Sequence, residues 1–134
     1  MLRSDDGGKL VLRLAIGILM LLHGIAKLVG GIGFITGLVT SLGLPASFAY
    51  LVFVGEVLAP IGLILGVFTR ISALLVVINM VVAITLAHVP ELFSLSKSGG
   101  WALELQGLFL FGSLAIMLLG AGRFSLQRPT SRWN

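Results

Sequence analysis

Residues 49–87 read AYLVFVGEVLAPIGLILGVF TR ISALLVVINMVVAITLA. The first run, 49–68, carries Glu56 as its one charge; the second, 71–87, carries none and has Asn79 as its strongest polar group. Each is close to the length of about 20 residues that a helix needs to cross the hydrocarbon layer. Backbone can cross lipid only with its hydrogen bonds closed internally. Two such runs joined only by Thr69 and Arg70 therefore predict a tight antiparallel helical hairpin.

Two further apolar runs flank this hairpin. Residues 10–29 are apolar apart from Arg13 at the start and His23 and Lys27 near the end, and residues 101–119 hold Glu104 and Gln106 close to their beginning. No small-x-small site closes the first run, so it is expected to remain as a span rather than be cleaved as a signal peptide. Composition agrees: 57% hydrophobic and 10% charged residues, with a mean hydropathy of +1.13. A soluble domain covers its surface with about 25% charged residues, so this chain belongs in a membrane. The expected architecture over residues 1–134 is a single all-α domain, an integral membrane four-helix bundle with spans at about 10–29, 49–68, 71–87 and 101–119.

The chain has no cysteine, which excludes thiolate nucleophiles, disulfide exchange and sulfur-ligated clusters built from this polypeptide alone. The formal net charge is +4. Spread along so apolar a chain, that excess reads as membrane orientation and not as a nucleic-acid surface. Arg3, Lys9, Arg13, Arg70, Arg123, Arg128 and Arg132 fall on one side, with Lys27 and Lys97 on the other. Both termini are therefore expected in the cytoplasm. Of the two outer connections, 30–47 is too long for a turn, and its middle, 34–42, predicts a short interfacial helix stopped by Gly43 and Pro45. The other, 88–100, contains Pro90, Glu91, Lys97 and paired glycines and reads as a loop, with Trp101 anchoring the next helix at the lipid boundary.

This orientation places the intramembrane polar groups at similar depth. His23 and Lys27 lie in the outer half of the first helix, four apart on one face. Glu56 is about eight residues, roughly 10 to 12 Å, below the outer end of the second, and Glu104 and Gln106 are one to two turns into the fourth. A lone charge at such depth costs about 2.5 to 3.5 kcal/mol, which favours pairing inside the protein. The predicted site is a polar pocket opening outward. His23, Lys27 and Glu56 are its candidate catalytic groups, and Asn79, His88, Glu104 and Gln106 are further candidate ligand contacts. Each has a plainer reading: Lys27 snorkelling to the interface, His23 hydrogen-bonded in the core, Glu104 complementing a helix dipole, Asn79 bonding between helices.

Gly55, Ala59, Gly62 and Gly66 give the second helix a small-residue face for close helix packing. Pro60, four residues past Glu56, removes the amide that would bond the Glu56 carbonyl. The chain carries no phosphate-cradling glycine loop, no HExxH and no helix-borne Glu-x-x-His pair, and Gly30, Gly31 and Gly33 lack the strand of a dinucleotide fold. A metal held by His23, Glu56, His88 and Glu104 is chemically conceivable but not favoured, and haem ligation by the two histidines less so, since their depths differ.

LRLAIGILMLLHGIAKL in the first span, SLGLP before the second, GEVLAPIGLILGVFTR through it, AHVP after the third and GAGRFSL after the fourth together resemble the DoxX family of small bacterial membrane proteins. The resemblance runs from about Leu12 to Leu126. It implies four membrane helices in the bacterial inner membrane and a link to thiosulfate:quinone oxidoreduction and redox-stress complexes. His23 and Lys27 match the family's polar pair ending helix one, Glu56 its acidic residue in helix two, Arg70 the basic residue closing the hairpin, and Asn79 and His88 polar positions of helix three. The expected function is that of a redox accessory or oxidoreductase subunit. A quinone or small polar substrate would occupy the pocket, electron transfer would require the bound quinone or a partner protein's cofactor, and the chain could self-associate. A non-enzymatic scaffold and a small transporter or proton conductor are the alternative classes.

Overall fold

The computed structural model describes residues 4–134. Arg3, one of the basic residues assigned to the inner side, lies outside them. Every regular element among the described residues is helical, and the sole β-type pairing is an isolated bridge between Leu95 and Trp101. We number the helices α1 (Asp5–Gly30), α2 (Gly33–Ser41), α3 (Ala46–Leu65), α4 (Thr69–Glu91) and α5 (Glu104–Leu119). Of these, α1, α3 and α4 are long and apolar enough to cross a membrane, while α5 is a shorter apolar helix of 16 residues.

Local chemistry sets the ends. Ser4 caps α1 by accepting from the Gly7 amide at 3.0 Å, and Asp5 and Asp6 in its first turn oppose the positive end of the helix dipole. The short α2 lies where an interfacial helix was expected. The hairpin turn differs from expectation: α3 stops at Gly66, which is left-handed (φ 68°), and Thr69 and Arg70 form the first turn of α4 instead of the connection. Phe68 is also left-handed (φ 46°), a conformation uncommon for an aromatic residue, and its amide is held by Gln127 Oε1 at 2.5 Å. The predicted start of the fourth span at Trp101 is likewise corrected to Glu104. The Trp101 indole donates to the Leu92 carbonyl at 2.8 Å, so residues 101–103 close a compact loop and the ring is half-buried.

The helices pack in sequence-distant pairs. Contact is most extensive between α4 and α5, and α1 lies against both α3 and α5. The core they share is Ile16, Met20, Ala59, Leu63, Ala73, Val76, Met80, Phe109 and Ile116. Outward-facing positions are equally apolar: Ile18, Leu22, Leu58, Ile78, Leu108, Phe111 and Leu118 are all exposed. Apolar groups on both the inner and outer faces of a helix mark a protein solvated by lipid.

At the end bearing the α3–α4 turn, residues 121–134 fold across the helix termini. The Leu126 and Gln127 amides donate to the carbonyls of Leu65 and Gly66 at the end of α3. Asn134 Oδ1 accepts from the Thr69 amide (3.1 Å) and hydroxyl (2.6 Å), and the Trp133 carbonyl accepts from the Arg70 amide. In return Arg70 Nη1 donates to the Met117 and Leu118 carbonyls, closing the end of α5. Helix termini leave up to four unpaired groups each, and this tail supplies many of the missing partners.

Arg13 is buried, which its position at the start of the first span does not reveal. Counted among the inner-side charges, it lies at the tail end beside Phe124 and Gly66 but is only 1% exposed; its Nη2 donates to the Phe124 carbonyl at 2.5 Å, while Nε and Nη1 have no hydrogen-bond partner among the described residues. Its Nη1 sits against Gly66, where any Cβ would collide with it. The guanidinium thus ties α1 to the tail segment.

Candidate functional site

The polar floor of the site forms where α1, α3 and α4 meet. Glu56 is 5% exposed and lies in a widened, π-type turn over Val54–Leu58. Pro60 has no amide for the Glu56 carbonyl, and a π-type turn is a way to accommodate such a missing i→i+4 bond. Its carboxylate accepts from Lys27 Nζ of α1 at 2.5 Å through Oε2 and from Asn79 Nδ2 of α4 at 3.2 Å through Oε1. One buried charge is thereby neutralised and its second oxygen engaged, as burial in a low-dielectric interior demands.

Two glycines permit this approach. A Cβ on Gly24 would stand 2.1 Å from the Glu56 carbonyl oxygen, so α1 rests directly on the backbone of the widened turn. A Cβ on Gly55 would strike the Asn79 side chain, its Cβ at 2.5 Å. Of the expected small-residue face, Gly55 and Gly62 receive Asn79 and Ser72 of α4. The matching face on α1 went unread. Gly17 lies against Pro60, Leu63 and Ile64, and Gly24 against Glu56 and Val57. Their separation of seven residues, two helical turns, was the available signal.

Above this floor is a cavity of about 640 Å³. His23, Lys27, Glu56, Asn79, His88 and Gln106 all line it. Its walls are apolar: Met20, Met80 and Phe109 beside the floor, and Phe34, Ile35 and Leu38 of α2 across the opening. The size falls in the range of about 300 to 1,000 Å³ typical of small-molecule sites. His23 packs edge-on against Phe109, with ring centroids 5.7 Å apart, and its nitrogens form no hydrogen bond among the described residues. His88 lies at the far end of a second π-type turn, Ile84–His88. Its Nδ1 is buried without a hydrogen bond, 3.6 Å from Glu91 Oε2.

Glu104 is not brought to the cavity. Its side chain is exposed and turned toward Gly100. Residues two apart on a helix point to nearly opposite sides, so Glu104 and Gln106 could not both face the same interior. Among the described residues no group of three or more His, Asp or Glu is gathered to hold a metal.

Apolar outer faces and long apolar helices, around a cavity with a part-buried charge pair in its lining, define a multi-pass helical membrane protein with an internal amphiphilic chamber. The family model for DoxX matches residues 8–89, and the chain belongs to the DoxX family. That match covers every polar residue lining the chamber except Gln106. No curated protein and no solved structure matches the chain.

Proposed function

We propose that this protein is a membrane-embedded redox accessory subunit whose chamber holds a quinone or a similar apolar molecule with a carbonyl-bearing head. The observation that carries the reading is the contrast within one cavity: apolar walls contributed by α2 and the helix interiors, above a floor of one acid, one amine, one amide and one unpaired imidazole. Such a cavity suits a ligand with a greasy body and one polar end.

His23 is the group free to donate to a carbonyl oxygen. Lys27 stabilises negative charge developing there, and Glu56, already sharing a proton-bearing contact with Lys27, takes up or returns a proton. Asn79 holds the second carboxylate oxygen and keeps the acid oriented while Lys27 shifts toward a ligand. A bound quinone supplies two-electron, two-proton carrier chemistry, and a partner protein's cofactor supplies the electrons. In this reading α5, about 24 Å long at 1.5 Å per residue, is a fourth crossing packed between α1 and α4. Both termini then face the cytoplasm of a bacterial inner membrane, in keeping with Lys9, Arg70, Arg123, Arg128 and Arg132 at one end.

Purification in mild detergent followed by mass spectrometry of co-extracted small molecules tests this. Wild type is expected to retain a quinone-like molecule. Glu56→Gln should lose about tenfold in retention while still inserting into the membrane, the cost of removing one charged hydrogen-bonding group, and the His23→Ala, Glu56→Gln double variant should retain none. If wild type and double variant carry the same partner protein and no small molecule, the polar floor is structural and the scaffold class replaces this one.

A further inference from the structure

The tail that closes the helix ends has a second, outward face. Arg123, Arg128 and Arg132 are all exposed on it, interleaved with the exposed apolar side chains of Phe124, Leu126 (75%) and Trp133 (50%). Arg123 is partly neutralised: Asp6 accepts from its amide at 3.0 Å and lies 4.0 Å from its guanidinium. Arg128 and Arg132 form no ion pair among the described residues, and Arg132 lies over the Trp133 ring, 5.2 Å from its centroid.

The tail's position relative to the helix ends is fixed by hydrogen bonds. Leu126 and Gln127 bond the last carbonyls of α3, and Trp133 and Asn134 bond the first amides of α4. The tail therefore sits within one hydrogen bond of the points where the apolar runs end. Cations held there, beside apolar groups facing outward, are at the level of lipid headgroups and acyl-chain ends. A guanidinium matches a phosphodiester in shape and charge, and the interleaved apolar side chains match a lipid interface better than a soluble acidic partner.

We propose that the tail is a docking surface for anionic phospholipids, with Arg128 and Arg132 contacting the headgroup phosphates and Leu126 and Trp133 entering the adjacent acyl region. This rests on the membrane-spanning reading of the helices and is independent of what the chamber binds. The test uses the full chain in neutral detergent, supplemented with phosphatidylglycerol or phosphatidylcholine, with bound lipids counted by native mass spectrometry. Wild type should bind phosphatidylglycerol in preference, and Arg128→Gln with Arg132→Gln should weaken that binding roughly tenfold, to the level of phosphatidylcholine. Arg123→Gln, whose side chain already has an acidic neighbour, should weaken it less. Neither Arg128 nor Arg132 donates a side-chain hydrogen bond within the described tail, so the double variant should keep the wild-type melting temperature. Equal binding of the two lipids, an unchanged preference in the double variant, or displacement of phosphatidylglycerol by millimolar inorganic phosphate would each overturn the proposal. A preparation that keeps its chamber ligand yet shows no lipid preference refutes the docking surface alone.

Discussion

The two ends of this helical assembly differ in how their helix-terminal and cavity-facing polar groups are engaged. At the tail end the helix-terminal groups are matched, Thr69 with Asn134, Phe68 with Gln127, Leu65 with Leu126 and the end of α5 with Arg70, although Nε and Nη1 of the buried Arg13 have no hydrogen-bond partner there among the described residues. At the chamber end the floor is paired through Glu56, but His23 and the buried Nδ1 of His88 are left without hydrogen-bond partners above it. Closed hydrogen bonding rigidifies, while an unmatched donor beside a cavity is capacity held for a ligand. Under the proposed function, stability rests chiefly on one end and ligand chemistry on the other, and substitutions can pull these apart.

The floor is where the two properties meet, so the largest effect is expected there. Gly24→Val would drive side-chain atoms into the Glu56 carbonyl, which is backbone and cannot swing aside. Denaturant unfolding in detergent should show a loss of about 3 kcal/mol, with ligand retention abolished. Gly30→Val, on the same helix with nothing within 4 Å of its Cβ, is the control and should change little. At the tail end Asn134→Ala strips the Thr69 amide and hydroxyl of their acceptor; it should cost about 1 to 3 kcal/mol in the same unfolding measurement while leaving the chamber ligand in place. The smallest stability change belongs to His23→Ala, about 1 kcal/mol or less, since the ring is open to the cavity and loses only its contact with Phe109. Its effect should instead be on ligand retention. A His23 variant that unfolds early, or an Asn134 variant that loses ligand, would erase the division between the ends.

The apolar runs were legible because hydropathy and length are local properties. The convergence of His23, Lys27, Glu56, Asn79, His88 and Gln106 was legible because helical rise converts sequence position into depth. Glu104 shows the limit of that conversion: depth alone does not give facing, and its offset of two residues from Gln106 was the information needed. The burial of Arg13 was not legible for a different reason. Its partner, the Phe124 carbonyl, is 111 residues away in sequence, and nothing near Arg13 distinguishes a charge bound for water from one bound for a carbonyl. The tail's bonds to the helix ends are similarly remote, spanning 59 residues from Phe68 to Gln127 and 65 from Thr69 to Asn134. Nor does local pattern reveal that Trp101 closes a loop with Leu92 and so delays the start of α5.

The turn at Glu56 has a mechanical consequence. Its side chain receives the groups that face the chamber, and its carbonyl is the surface on which α1 rests at Gly24. One residue is thus both the paired acid at the bottom of the cavity and the spacer between two helices. A ligand that draws Lys27 away, or a proton that neutralises the carboxylate, acts on the same turn that sets how closely α1 approaches α3. By reciprocity, anything that squeezes or parts those helices, including the thickness and lateral pressure of the surrounding bilayer, would alter the affinity of the chamber for the ligand proposed above.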